Sequence, residues 1–252
     1  MPHYDFRATR LYVDEPLAAG SEIALDRDQG NYLINVLRLG RGDTVLLFNG
    51  RDGEWRASLA SVGKRTVSMT VAARTRTQTP PGNLHFIFAP LKHARLDYLV
   101  QKAVEMGVSR LQPVITRHTQ VTRVNLDRMR ANVIEAAQQC GILAMPDVAE
   151  PVPLENILAD NDHLLVFCDE HAEVADPLVA LAGARPTPGA PLAVLIGPEG
   201  GFAEAERAAL LKRSKVVRIA LGPRILRADT AAVAALALIQ AVLGDWHRPA
   251  QG

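Results

Sequence analysis

Short apolar runs separated by turn residues open the chain, and helical periods alternate with such runs after residue 84. The short runs 11–13, 23–25, 45–48, 55–62 and 67–71, each bounded by turn residues, predict five strands. Gly42-Asp43, Asn49-Gly50 and Asp52-Gly53 punctuate them as turns. Tyr32, Leu33, Val36 and Leu37 stand at helical spacing and predict one helix over 28–39. A small β-barrel with an inserted helix fits this pattern. Residues 73–83, with Pro80-Pro81-Gly82, read as a linker.

Beyond the linker the grammar changes. Strand 84–89 leads to an amphipathic helix 95–106, which ends at Gly107. Strand 111–115 leads to helix 126–140, opened by Asn125 as cap and closed by Gly141. After a loop at 146–153, strand 164–167 and a Gly/Pro-rich connection at 182–191, two strand–loop–helix units finish the chain. They are 192–196 with helix 204–213, and 216–220 with helix 231–243. Such alternation implies parallel strands, and in open sheets of that kind ligands lie beyond the carboxyl ends. The last helix is apolar nearly all round (Val233, Leu236, Leu238, Ile239, Val242), which predicts burial on more than one side.

The loops of the last two units carry most of the chemistry. One reads Gly197-Pro198-Glu199-Gly200-Gly201-Phe202; the other runs from Leu221-Gly222-Pro223-Arg224 through Ile225-Leu226-Arg227 to Ala228-Asp229-Thr230. Glycine permits positive φ and close approach of backbone to a ligand, and the adjoining prolines stiffen both turns. No Gly-Lys-Ser/Thr or Gly-x-Gly-x-x-Gly occurs in the first, which disfavours those two modes of phosphate recognition. Both loops are expected to face one crevice.

Composition narrows the class. The 252 residues, 48% hydrophobic and 22% charged, fit one large or two modest globular domains. No run approaches the ~18 apolar residues of a membrane span, and the opening residues lack a signal-peptide core. Cys140 and Cys168 form no disulfide framework, and the seven histidines show no metal spacing. We therefore expect a cytoplasmic protein without a metal or a membrane partner. The net charge of +1 hides a strong asymmetry. Residues 64–130 hold 12 Lys/Arg against three acids, whereas 131–184 hold ten acids and no Lys or Arg. A basic region of this kind is able to track nucleic-acid phosphates.

The segments 195–202 and 221–227 together resemble the paired signatures of the bacterial 16S rRNA uridine-N3 methyltransferases, a family of the SPOUT superfamily. The resemblance extends to Asn35-Val36-Leu37-Arg38, to Lys102-Ala103-Val104-Glu105-Met106-Gly107-Val108 and to 135–141. It departs at Ile142, where the family has arginine, at Ala228-Asp229, where Thr-Glu is usual, and near Tyr32, where histidine is usual. The resemblance implies an α/β SPOUT trefoil-knot domain with a parallel sheet over 84–252. A PUA-like β-barrel over 1–73 would precede it, joined by 74–83. It implies S-adenosylmethionine as cofactor, small-subunit (16S) rRNA as partner, and a homodimer formed through the last helix.

For the cofactor it points to Ile196, Gly197, Pro198, Gly200, Gly201, Leu221, Gly222, Ile225 and Leu226. Arg224 and Arg227 are the expected cationic groups of catalysis, with Glu199 and Asp229 the acid–base candidates. Arg7, Arg10, Arg38, Lys92 and Lys102 are the expected RNA contacts. Two other readings remain: a ribose 2′-O-methyltransferase of the same superfamily, and a non-catalytic RNA-binding assembly factor.

Overall fold

The computed structural model describes residues 7–63, 66–121, 123–160, 162–172, 176–184, 186 and 189–246. Lys64 and Arg65 of the basic region, and 185, 187 and 188 of the expected connection, lie outside them. The chain divides into two compact units, Met1–Pro80 with Ala137–Met145, and Pro81–Ala136 with Pro146–Gly252.

In the first unit β1 (Arg10–Tyr12), β2 (Glu22–Leu25), β3 (Thr44–Phe48), β4 (Glu54–Val62) and β5 (Val67–Arg76) form one sheet. Its order is β1-β3-β4-β5-β2; β1 and β3 run parallel and the other neighbours antiparallel. Period-two patterning sets the register: Ile23 and Leu25 face inward while Glu22 and Ala24 face out. Leu11 and Ile23, from the two end strands, share one core with Val45, Leu59 and Met69, so the sheet is strongly curled. Three irregularities in the β4–β5 ladder supply that bend. At the turn into β4, Gly53 has φ +86 and no room for a Cβ, which would stand 2.4 Å from the Arg76 carbonyl.

Two expectations change here. The helix predicted over 28–39 is a short α1 (Arg27–Asn31) followed by a π turn at Tyr32–Val36. Asp26 caps α1 in a capping box with Gln29. The wider turn breaks the 3.6 period, so Leu33 is buried while Tyr32 and Val36 face outward. Strand β5 also runs on to Arg76 instead of ending near Val71, because Arg76 pairs with Glu54 across the ladder. Segment 137–145 completes this unit. The Gln138 side chain accepts from the Tyr12 N–H (2.9 Å), Arg76 donates to the Gly141 carbonyl (2.9 Å), and Ala137 and Leu143 pack with Phe48.

The second unit holds a parallel sheet of β6 (Leu84–Phe88), β7 (Arg110–Ile115), β8 (Asp147–Val148), β9 (Val152–Pro153), β10 (Leu164–Cys168), β11 (Leu192–Ile196) and β12 (Val216–Ile219). The order is β12-β10-β11-β6-β7-β8, with β9 also on β7, and every pairing is parallel. Strand β11 is buried at all five positions, as continuous apolar runs in parallel sheets are. The helices are α2 (His93–Glu105), α3 (Leu126–Cys140, its end in the first unit), α4 (Leu154–Ala159), α5 (Pro177–Gly183), α6 (Glu204–Leu211) and α7 (Ala228–Val242). Helix α7 buries Ala232, Ala235, Leu236 and Ile239. The buried Gln240 donates to the Met106 carbonyl (2.7 Å). Val233, Ala237 and Leu238 on its other side are only partly covered.

His163, just before β10, and Arg213 are two buried basic residues. His163 Nδ1 is 3.2 Å from Asp160, and Arg213 donates to the carbonyls of Ile157 and Leu158. Among the described residues His163 Nε2 has no hydrogen-bond partner. Burial pushes the His163 pKa down and Arg213 adds to this, while Asp160 opposes it. Burial pushes His85 down as well, helped by Arg110 and His163. Both folded-state values lie below the unfolded value of about 6.5, so the unfolded chain takes up protons first. Stability is therefore full above about pH 6.5 and is lost as pH falls through the lowered values. The urea midpoint is expected to drop between pH 7.5 and 5.5, and to drop less in His163→Gln. An equal drop in both proteins contradicts this assignment.

Candidate functional site

Three loops at the carboxyl ends of the adjacent strands β11, β10 and β12 enclose a cavity of about 480 Å³. That volume suits a drug-sized ligand. The loop after β11 is a tight turn in which the Gly201 N–H donates to the Pro198 carbonyl (2.9 Å). Gly201 has φ +67, a conformation glycine adopts without strain. A Cβ on Gly197 would stand 2.6 Å from the Phe202 ring, which itself packs edge-on against Phe167 at 5.3 Å. Gly197 thus lets Phe202 anchor the loop to the core. In the loop after β12, Gly222 has φ +90. Phe167, Ile196, Ile219 and Leu226 give the cavity apolar walls, and charged side chains surround them.

The two glycine-rich loops face one cavity, as their sequences imply. Of the nine cofactor candidates all but Gly200 line it; Gly200 instead lies against His118, whose Cβ would be 3.3 Å from its own. His118 Nδ1 stands 3.1 and 3.2 Å from the Gly200 and Gly201 carbonyls. Carbonyls only accept, so these contacts place a hydrogen on Nδ1. Ile225 lines the cavity yet is 95% exposed. Glu199, Arg224 and Arg227 line it as well, and no carboxylate pairs with either arginine among the described residues.

Asp229 lies in the first turn of α7, which starts one residue earlier with Arg227 at the cap position. Its carboxylate is turned to Arg95 on α2, which donates to it at 3.0 and 3.3 Å and to Glu199 at 2.7 Å. One guanidinium therefore ties the first loop to the start of α7. The bond from Arg95 lowers the Asp229 pKa, with the Thr230 and Asp229 N–H groups adding to it and slight burial opposing. Asp229 is thus an ionised acceptor and a weak base. Arg95 escapes the sequence reading because its partners lie 104 and 134 residues away.

Asp169 escapes it for the same reason. Its side chain is 2% exposed and accepts from Arg207 of α6 and Arg218 of β12. Burial pushes its pKa up, but the bonds from Arg207, the His171 N–H and Arg218 outweigh this and leave it lowered.

The RNA candidates separate by environment. Arg10 is corrected: its Nε donates to Glu54 at 2.9 Å, and both side chains are almost wholly buried (2% and 3% exposed). A guanidinium held there is a structural ion pair and does not reach a phosphate. Arg7, Arg38 and Lys92 are exposed, Arg38 with φ +57 at the end of the π turn. Lys102 bonds Glu105 (2.6 Å) and stands 5.6 Å from the Tyr98 ring. Among the described residues no group of three or more His, Cys, Asp or Glu is placed to hold a metal, and no helix is long and apolar enough to cross a membrane.

Residues 78–240 match the family described as an RNA methyltransferase domain, and 25–71 match the RNA methyltransferase PUA domain. The chain is 31% identical over 232 residues to the ribosomal RNA small subunit methyltransferase E of Rickettsia conorii, covering 92% of this chain and 94% of that protein. Its fold is similar to the crystal structure of ribosomal RNA small subunit methyltransferase E from Neisseria gonorrhoeae bound to S-adenosyl methionine. The TM-score there is 0.84 at 27% identity, covering 95% of this chain and 100% of that one. A putative methyltransferase from Legionella pneumophila, solved with the same cofactor, is similar at TM-score 0.78 and 28% identity, covering 93% and 98%.

Proposed function

The chain belongs to the RNA methyltransferase family, and we propose that it methylates N3 of one uridine in 16S ribosomal RNA with S-adenosylmethionine as donor. The observation that carries this reading is the convergence of the two glycine-rich loops on one cavity of cofactor size. The cavity fits the cofactor: apolar walls at Ile196 and Leu226 suit an adenine, and the backbone of Gly197, Gly201, Leu221 and Gly222 supplies polar groups. When bound, the sulfonium supplies an electrophilic methyl carbon. The rest falls to the chain. Arg224 and Arg227 hold the RNA and stabilise negative charge on the uracil oxygens as the N3 proton passes to solvent water. Arg95 keeps Glu199 and Asp229 in one orientation beside them. Positioning of this kind lowers a transfer barrier by about 7–11 kcal/mol.

The barrel-like unit, assigned to 1–73 and completed by 137–145, binds RNA through Arg7 and Arg38, and the α/β domain, assigned to the rest of 84–252, adds Lys92. The partly covered side of α7 and the exposed Ile225 support a homodimer built on that helix. We place the protein in the cytoplasm with the small ribosomal subunit.

The test supplies isotope-labelled S-adenosylmethionine with unmodified 16S rRNA, free or in assembled subunits, and analyses the nucleosides by mass spectrometry. Label in 3-methyluridine is expected. Label on a ribose, or none in either substrate, overturns the proposal.

A further inference from the structure

The cavity has a third wall that neither glycine-rich loop supplies, formed by the turn after β10. Asp169 anchors it. Its carboxylate accepts from Arg207 at 3.1 Å, from Arg218 at 2.9 Å and from the His171 N–H at 3.1 Å. Its own N–H donates to the Ile219 carbonyl (3.0 Å), and its carbonyl accepts from the Ala172 N–H (3.0 Å). A buried carboxylate with two guanidinium partners is a strong, directional tie. The next residue, Glu170, therefore leaves the sheet from a fixed point, and its Oε1 lies 3.3 Å from where a Cβ on Gly201 would stand.

Among the described residues four carboxylates line the cavity. Asp169 is engaged by Arg207 and Arg218, and Glu199 by Arg95. Glu204 sits in the first turn of α6, where the helix dipole favours it. Among the described residues Glu170 has only the neighbouring His171 at 3.6 Å, an ion pair when that imidazole is protonated, and its side chain is 64% exposed.

We propose that Glu170 is a specificity-determining residue that accepts the ribose hydroxyls of the adenosyl cofactor, and that Asp169 with Arg207 and Arg218 positions it. This rests on the cofactor reading above. An ionised carboxylate offers two acceptor oxygens and no donor, which matches a pair of vicinal hydroxyls. Acidic side chains take ribose hydroxyls in dinucleotide folds by the same chemistry. A sulfonium has no hydrogen to donate, so an exposed carboxylate gains only screened attraction from it. Hydroxyl donors form charge-assisted bonds, roughly twice as strong as neutral ones.

The experiment is calorimetry on the full chain with S-adenosylhomocysteine, which lacks the sulfonium charge, and with its 2′-deoxy and 3′-deoxy counterparts. The wild-type chain is expected to bind the ribose compound about tenfold or more tighter than at least one deoxy compound. Glu170→Ala is expected to weaken the ribose compound by a similar factor and to bind all three nearly alike. Asp169→Asn should reduce the same discrimination, and Glu170→Ala alone decides the matter if that variant does not fold. The inference is overturned if Glu170→Ala keeps the wild-type discrimination, or if its loss is confined to S-adenosylmethionine. Binding of no adenosyl compound by the wild-type chain overturns the proposed function along with it.

Discussion

Gly201→Val is expected to weaken S-adenosylmethionine binding by about two orders of magnitude, some 2.8 kcal/mol, while the chain stays folded. Gly201 stands at φ +67, where a β-branched side chain is strongly disfavoured. Its new Cβ would also stand 3.3 Å from Glu170 Oε1, on the cavity side of the turn. To relieve the strain the turn must leave its present shape, and the Gly201 N–H bond to Pro198 goes with it. The sheet need not change, because Phe202 still anchors the following residues against Phe167. Calorimetry measures the affinity, and circular dichroism with thermal unfolding reports the fold. Wild-type affinity in a folded variant contradicts the assignment of this loop.

The second large effect concerns stability. Glu54→Ala is expected to destabilise the first unit by about 3–5 kcal/mol, the range for breaking a buried ion pair by removing one partner. Glu54 receives Arg10 at 2.9 Å, Arg76 at 2.6 Å and the Thr75 hydroxyl at 2.8 Å, in a site with almost no solvent. Burial raises its pKa, but the bonds from Arg76, Thr75 and Arg10 more than reverse this and leave it lowered. The variant leaves the Arg10 guanidinium in the core without that carboxylate. Denaturant unfolding measures the loss. A change below about 1 kcal/mol would place Arg10 and Glu54 outside the framework of the sheet.

Arg10 also shows where sequence reading runs out. A charged residue beside a predicted strand is ordinarily exposed, and the sequence does not show that Glu54, 44 positions on, closes over it. The partner of Asp229 is hidden in the same way: Arg95, 134 residues earlier, holds its carboxylate. Helices α4 and α5 elude prediction because six and seven residues are too few to show a period. The inserted helix is predicted in the right place but not in kind, since a π turn has the composition of an α-helix.

What depends on local sequence is legible. Strands β11 and β12 announce themselves as apolar runs, and Gly201 and Gly222 mark the positive-φ turns that follow. Helix α3 stands at 126–140, the range its periodicity predicts. The cavity's apolar walls and its two glycine-rich rims can therefore be drawn from the chain alone. Its ionic framework, Arg95 with Glu199 and Asp229 and Asp169 with two arginines, needs the fold.

We propose that main-chain groups of two stiff loops hold an adenosyl cofactor beside β11 and β12, and the decisive measurement is a crystal structure with S-adenosylmethionine bound. The adenine is expected between Ile196 and Leu226, with backbone atoms of Gly197, Gly201, Leu221 or Gly222 within hydrogen-bond distance of the ligand. A cofactor found elsewhere on the molecule, or touching only one of the two loops, would contradict it.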